Sequence, residues 1–206
     1  MTLTERLRRA DWLGEMQAAL VLCLAGAGIA AALPVARAVL GDDHVVVRLE
    51  ADPAAGPAAG LTGGAGGLPG GAAIAPESVV EAHITDPSLH QRIAELLTTL
   101  PTLLLLAGVL ALLLRIVRRA RRGDPFTAAT VQGLRVLGLL TALGGSAAGA
   151  AESLAALDLS STVTPGAAFA VWEVPAGWLL AGIGFLAVAE VLRRGVTMRD
   201  ELAAVI

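Results

Sequence analysis

Met16-Gln-Ala-Ala-Leu-Val-Leu-Cys-Leu-Ala-Gly-Ala-Gly-Ile-Ala-Ala-Ala-Leu33 is a run of 18 residues without a charge. It decides the class of fold. A helix rises about 1.5 Å per residue, so a hydrocarbon core of about 30 Å needs roughly 20 apolar residues. Extended to residue 40, this run is long enough to cross. Arg6, Arg8 and Arg9 precede it and Ala36-Arg37-Ala38 loosely imitates a cleavage site. A secretory signal core is shorter, about 7–15 residues. The segment is therefore read as a span, 16–40.

Three further stretches meet the same length: 96–117, 131–157 and 171–192. Composition agrees with this reading. Hydrophobic residues make up 55% of the 206 and charged residues 16%, where a soluble domain carries about 25% charge. The mean hydropathy is +0.72. The chain reads as one membrane domain, an all-α four-helix transmembrane bundle.

Orientation follows from arginine. All 15 basic residues are arginine, which suits a GC-rich bacterial genome. With the N-terminus inside, Arg37, Arg48 and Arg92 fall outside and the other 12 inside. Cytoplasmic segments of membrane proteins carry the excess of Lys and Arg. The expectation is a multi-pass protein of the bacterial plasma membrane with both termini cytoplasmic.

The outer segment 41–95 has three parts. His44-Val-Val-Val-Arg-Leu-Glu-Ala51 and Ser78-Val-Val-Glu-Ala-His-Ile84 are β-branched and read as strands of a small extracytoplasmic β-hairpin. Between them, 53–76 is almost wholly Gly, Ala and Pro and is expected to be a floppy loop. Asp86-Pro87 reads as the start of a helix that continues into the second span, with a kink at Pro101. The inner turn is 118–130. Gly123 is a candidate stop for the second span, and Thr127 a candidate cap for the third, with Phe126 placed as a hydrophobic staple. The outer loop 158–170 is short and polar, and 193–206 forms an inner tail.

Small residues let helices approach closely in lipid. Ala25-Gly-Ala-Gly28 in the first span, Gly144-Gly-Ser-Ala-Ala-Gly-Ala-Ala151 in the third, and Gly177, Gly182 and Gly184 in the fourth predict that these three spans pack together. The leucine-rich second span is expected to face lipid.

Charges at membrane depth need a reason, since each costs roughly 2.5–3.5 kcal/mol at the centre of the bilayer. The topology carries Arg37, Glu152 and Glu173 toward the outer face as a candidate polar cluster. Glu190 precedes Arg193 and Arg194 by three and four residues, the spacing of a same-face ion pair, and Arg135 on the third span is a further candidate partner. The arginines of 115–122 suit topology and anionic lipid better than direct nucleic-acid binding. Asp42, Asp43, His44, His83 and His90 match no metal-ligand spacing, so neither metal nor cofactor is expected. Cys23 has no second cysteine to bridge. Gly144-Gly-Ser-Ala-Ala-Gly149 misses a nucleophile elbow by one residue, since Ala148 replaces its second glycine. The glycine-rich outer segment lacks the lysine of a phosphate loop. Enzymatic activity is not expected.

Gly123-Asp-Pro-Phe-Thr127 followed by Leu134-Arg-Val-Leu-Gly138, and Leu186-Ala-Val-Ala-Glu-Val-Leu-Arg-Arg-Gly195 followed by Met198-Arg-Asp-Glu-Leu202, resemble a bacterial membrane family, domain of unknown function 2975. The order of elements also fits it. The family often has an acidic residue after the position of Thr127, which Ala128-Ala-Thr130 lacks. The resemblance implies proximity to small helix-turn-helix regulators and supplies no catalytic residues. The expected function is a non-enzymatic sensor or membrane partner of such a regulator. Asp124, Pro125, Phe126, Thr127, Glu190, Arg193 and Arg194 would form the inner interaction surface. A small transporter or channel subunit using Arg37, Glu152 and Glu173 is the second reading.

Overall fold

A computed structural model of the chain describes residues 12–40, 44–50, 79–85, 87–122, 127–163 and 175–203. In chain order the elements are α1 (Trp12–Leu40), β1 (His44–Glu50), β2 (Val79–Thr85), α2 (Leu89–Leu97), α3 (Leu100–Arg122), α4 (Ala128–Val163) and α5 (Ala176–Ala203). Four helices contain stretches long and apolar enough to cross a bilayer: Gly14–Leu40, Leu100–Arg122, Ala128–Thr162 and Ala176–Arg199. The fold is that of a four-span membrane protein.

Several boundaries differ from those read in the sequence. Arg118 to Arg122 are helical and extend α3. Residues 158–163, expected as loop, continue α4. There the hydroxyls of Ser160, Ser161 and Thr162 donate to the carbonyls of Leu157, Asp158 and Leu159, three residues back. These bonds satisfy hydroxyl groups without ending the helix. The tail is helical as far as Ala203.

The helix before the second span begins later than Asp86-Pro87 suggests. Its N-cap is Ser88, whose Oγ accepts from Gln91 N–H at 3.3 Å, while the Gln91 side chain accepts from Ser88 N–H at 2.9 Å. This reciprocal pair is a capping box. The helix does not run on into the span. It stops at Leu97, and α3 starts at Leu100. Pro101 has no N–H to give a carbonyl four residues back. Thr98 turns its own hydroxyl to Glu95 O at 2.7 Å, and Thr99 N–H reaches Leu96 O in a tightened last turn. The expected kink is thus a break.

The chain divides into two compact units. The first comprises Met1–Ala32, Thr102–Ala148 and Val174–Ile206. At its centre Leu137 and Ala189 are fully buried, joined by Val109 and Leu134. Leu105, Leu112, Leu113 and Ile116 of α3 pack around them with Trp178, Phe185 and Leu192 of α5. The leucine-rich second span is therefore a core element, which corrects the expectation that it faces lipid.

Glycine geometry gives the reason. A Cβ on Gly182 would stand 2.8 Å from Gly138 O and 2.9 Å from Ala142 N, so α4 and α5 meet backbone to backbone. A Cβ on Gly144 would meet Leu105 of α3, and one on Gly145 would meet Trp178 of α5. The middle of α4 is thus small on two sides, and its neighbours there are α3 and α5. Gly26 and Gly28 of α1, and Gly177 and Gly184 of α5, have nothing within 4 Å. Among the described residues of α1 in the first unit only Ala27 is buried, whereas Leu22 and Ile29 are 76% and 63% exposed. Gly26 and Gly28 therefore mark no close approach, and of the small run Ala25–Gly28 only Ala27 is buried.

The second unit comprises Leu33–Pro101 and Gly149–Glu173. In it β1 and β2 pair antiparallel, from His44 opposite Thr85 to Glu50 opposite Val79, and α2 lies against β1. His90 of α2 bonds Asp158 of α4 at 2.8 Å, and Gln91 Nε2 donates to Thr162 Oγ1 at 3.3 Å. The glycine-rich stretch expected as a loop lies outside the described residues.

Candidate functional site

The polar groups of the first unit gather at the end where α3 finishes and α4 begins. Thr127 starts α4: its Oγ1 accepts from Thr130 N–H at 3.3 Å. The Thr130 hydroxyl lies 3.0 Å from that of Thr127. Asp124, Pro125 and Phe126, with the expected stop at Gly123, lie outside the described residues.

Glu190 is the anionic centre of this end. Arg193 approaches it with two donors, Nε to Oε2 at 2.8 Å and Nη2 to Oε1 at 2.6 Å. Arg194 Nε donates to Oε1 at 3.3 Å. Arg135 Nη2 of α4 reaches Oε2 at 3.4 Å. Both the local pairing and the contact to α4 anticipated from the sequence are therefore made. One carboxylate serves three guanidinium groups, and it ties α5 to α4. Arg121 is held differently, donating from Nη1 to Gln17 Oε1 of α1 at 2.8 Å.

Arg115 and Arg119 have no carboxylate or hydrogen-bond partner among the described residues. Four residues apart, they share a face of α3. They line an open cavity of about 260 Å³ between α3 and α4. Thr130 and Gln132 of α4 stand on its other wall, and Leu112, Ile116 and Val136 complete it. Gly133 permits the approach of the two helices, since a Cβ there would lie 3.3 Å from Ile116 Cγ1. The sequence offered half of this signal, two arginines at helical spacing. The other half depends on the register of α4 against α3, which no local pattern encodes.

In the second unit, Arg37 is exposed on α1 and Glu152 is half-buried on α4, and each takes part in a polar interaction. Glu173 lies outside the described residues, as do Asp42 and Asp43. The pairing of His90 with Asp158 was not anticipated. Cys23 is an exposed free thiol.

The four apolar helices define a multi-pass membrane protein. The chain belongs to the family described as protein of unknown function (DUF2975), whose model matches residues 76–206, well over half of the chain. No curated protein and no solved structure matches it.

Proposed function

We propose that the protein is a non-enzymatic component of the bacterial plasma membrane that presents a cytoplasmic docking surface to a small helix-turn-helix regulator. The observation that carries this reading is the end of α5. The helix has 28 residues, about 42 Å at 1.5 Å per residue, against a hydrocarbon core of about 30 Å. Its last turns therefore stand in water, where Arg193, Arg194 and Met198 are exposed. Glu190 fixes the base of this segment on α4. A basic helix end tied to α4 is thus offered to a partner. The excess of arginine on this side supports a cytoplasmic position. The paired strands β1 and β2 then stand outside as an extracytoplasmic hairpin, placed to receive a signal.

A photo-crosslinking residue at Met198, used in the intact protein in its own cells, tests this. A helix-turn-helix protein is expected in the adduct, and it should be absent when the probe is moved to Ser161. Adducts to lipid or to other copies of the chain alone would overturn the reading. A transporter or channel subunit would instead use Glu152. In that case Glu152→Gln would change ion or solute flux in reconstituted vesicles and leave the Met198 adducts empty of regulator.

A further inference from the structure

We infer that the cavity between α3 and α4 is a binding site for the phosphate-bearing headgroup of an anionic membrane lipid. Its walls are graded. Leu112 and Val136 lie toward the middle of their helices, whereas Arg119 and Thr130 lie toward the end of α3 and the start of α4. Arg115 and Gln132 stand between. Leu112 and Arg119 are seven residues apart, about 10 Å along the axis. An apolar wall that passes into a cationic end over that distance matches an amphiphile. A phosphodiester bonds the guanidinium groups, and the first carbons of an acyl chain lie on Leu112 and Val136. Guanidinium suits this because its planar donors match phosphate oxygens two at a time.

Charge accounting selects an anionic ligand. At the same end of the unit, Arg135, Arg193 and Arg194 share Glu190, and Arg121 is bonded to Gln17. Arg115, Arg118, Arg119 and Arg122 have no such partner among the described residues, although all four belong to a stretch apolar enough to span a bilayer, and of the four only Arg115 and Arg119 line the cavity. A lipid phosphate supplies the missing anion where lipid is abundant. A basic pocket between transmembrane helices is a recurrent way of holding anionic headgroups. The inference requires only that this end lies at a bilayer surface, and it is independent of any regulator. Free inorganic phosphate would bond the same arginines but leave the apolar wall unused.

The test is native mass spectrometry of the full chain released from vesicles of equal phosphatidylglycerol and phosphatidylethanolamine. The protein should retain phosphatidylglycerol in preference to phosphatidylethanolamine. Retention should fall by about tenfold in the double variant Arg115→Gln/Arg119→Gln and survive in Arg118→Gln/Arg122→Gln, which loses the same charge outside the cavity. Gly133→Leu, which fills the space while keeping both arginines, should also abolish retention. Arg115→Lys/Arg119→Lys keeps the charge and guards against loss through misfolding; it should retain part of the binding. Equal losses in the two glutamine pairs would reduce the effect to diffuse attraction and overturn the site. Displacement of the lipid by millimolar inorganic phosphate alone would assign the cavity to a free anion and overturn the lipid.

Discussion

Gly182 lies against the backbone of α4: a Cβ there would stand 2.8 Å from Gly138 O and 2.9 Å from Ala142 N, besides 2.7 Å from Ala142 Cβ. A side chain could swing away from an added methyl; the carbonyl of Gly138 and the amide of Ala142 cannot. Gly182→Ala should therefore lower stability in detergent by about 1–3 kcal/mol, the usual range for overpacking. Gly26→Ala should be neutral or slightly stabilising, because its Cβ meets open space and alanine is the better helix former by about 1 kcal/mol. Thermal unfolding of the two variants side by side checks this. Identical, large losses would mean that α1 packs through its glycines after all. Glu190 makes a second residue-level prediction. Its bonds to three arginines are half-exposed, so salt should weaken them. Glu190→Gln should lower the melting temperature at low ionic strength, and the gap to the parent should narrow as salt is added. A gap independent of salt would show that packing, not charge, is lost. These local pairings were legible in the sequence because three and four residues fix neighbours on a helix. The packing partner of each glycine was not, because composition does not tell which way a helix is rotated.

Helix ends were partly legible. Thr127 caps α4 as its position before an apolar run suggests. The start of α2 was written in the sequence as Ser88-Leu-His-Gln91, a serine followed three residues later by glutamine. Asp86-Pro87 was expected as the start instead, and the reciprocal side-chain bonds of Ser88 and Gln91 correct it. Ser88→Ala should cost about 1 kcal/mol, as loss of an N-cap does. The effect should stay local: faster amide exchange at Gln91 and Arg92, with α3 unchanged beyond the break at Thr98 and Thr99. Exchange spreading into α3 would show that the two helices are one cooperative element. The break itself could be foreseen only as a kink. Proline removes one hydrogen bond, but whether the helix bends or stops depends on what the threonines do with their own hydroxyls, and here Thr98 closes the turn.

For the molecule as a whole, four apolar stretches dictated four helices, because length and hydropathy are properties of the chain before it packs. What escaped the sequence arises between helices: in the first unit, α3 in the core, α1 at the edge, and a cavity that needs both α3 and α4. In a four-span chain the segments that join successive spans lie alternately on the two faces of the membrane. Single cysteines in a Cys23→Ser background measure this directly, with a membrane-impermeant maleimide applied to intact cells and then to opened ones. Ser88→Cys and Ser161→Cys should react in intact cells, and Ala128→Cys and Thr197→Cys only after opening. Labelling of Ser88→Cys and Ala128→Cys from the same side would contradict the four-span arrangement.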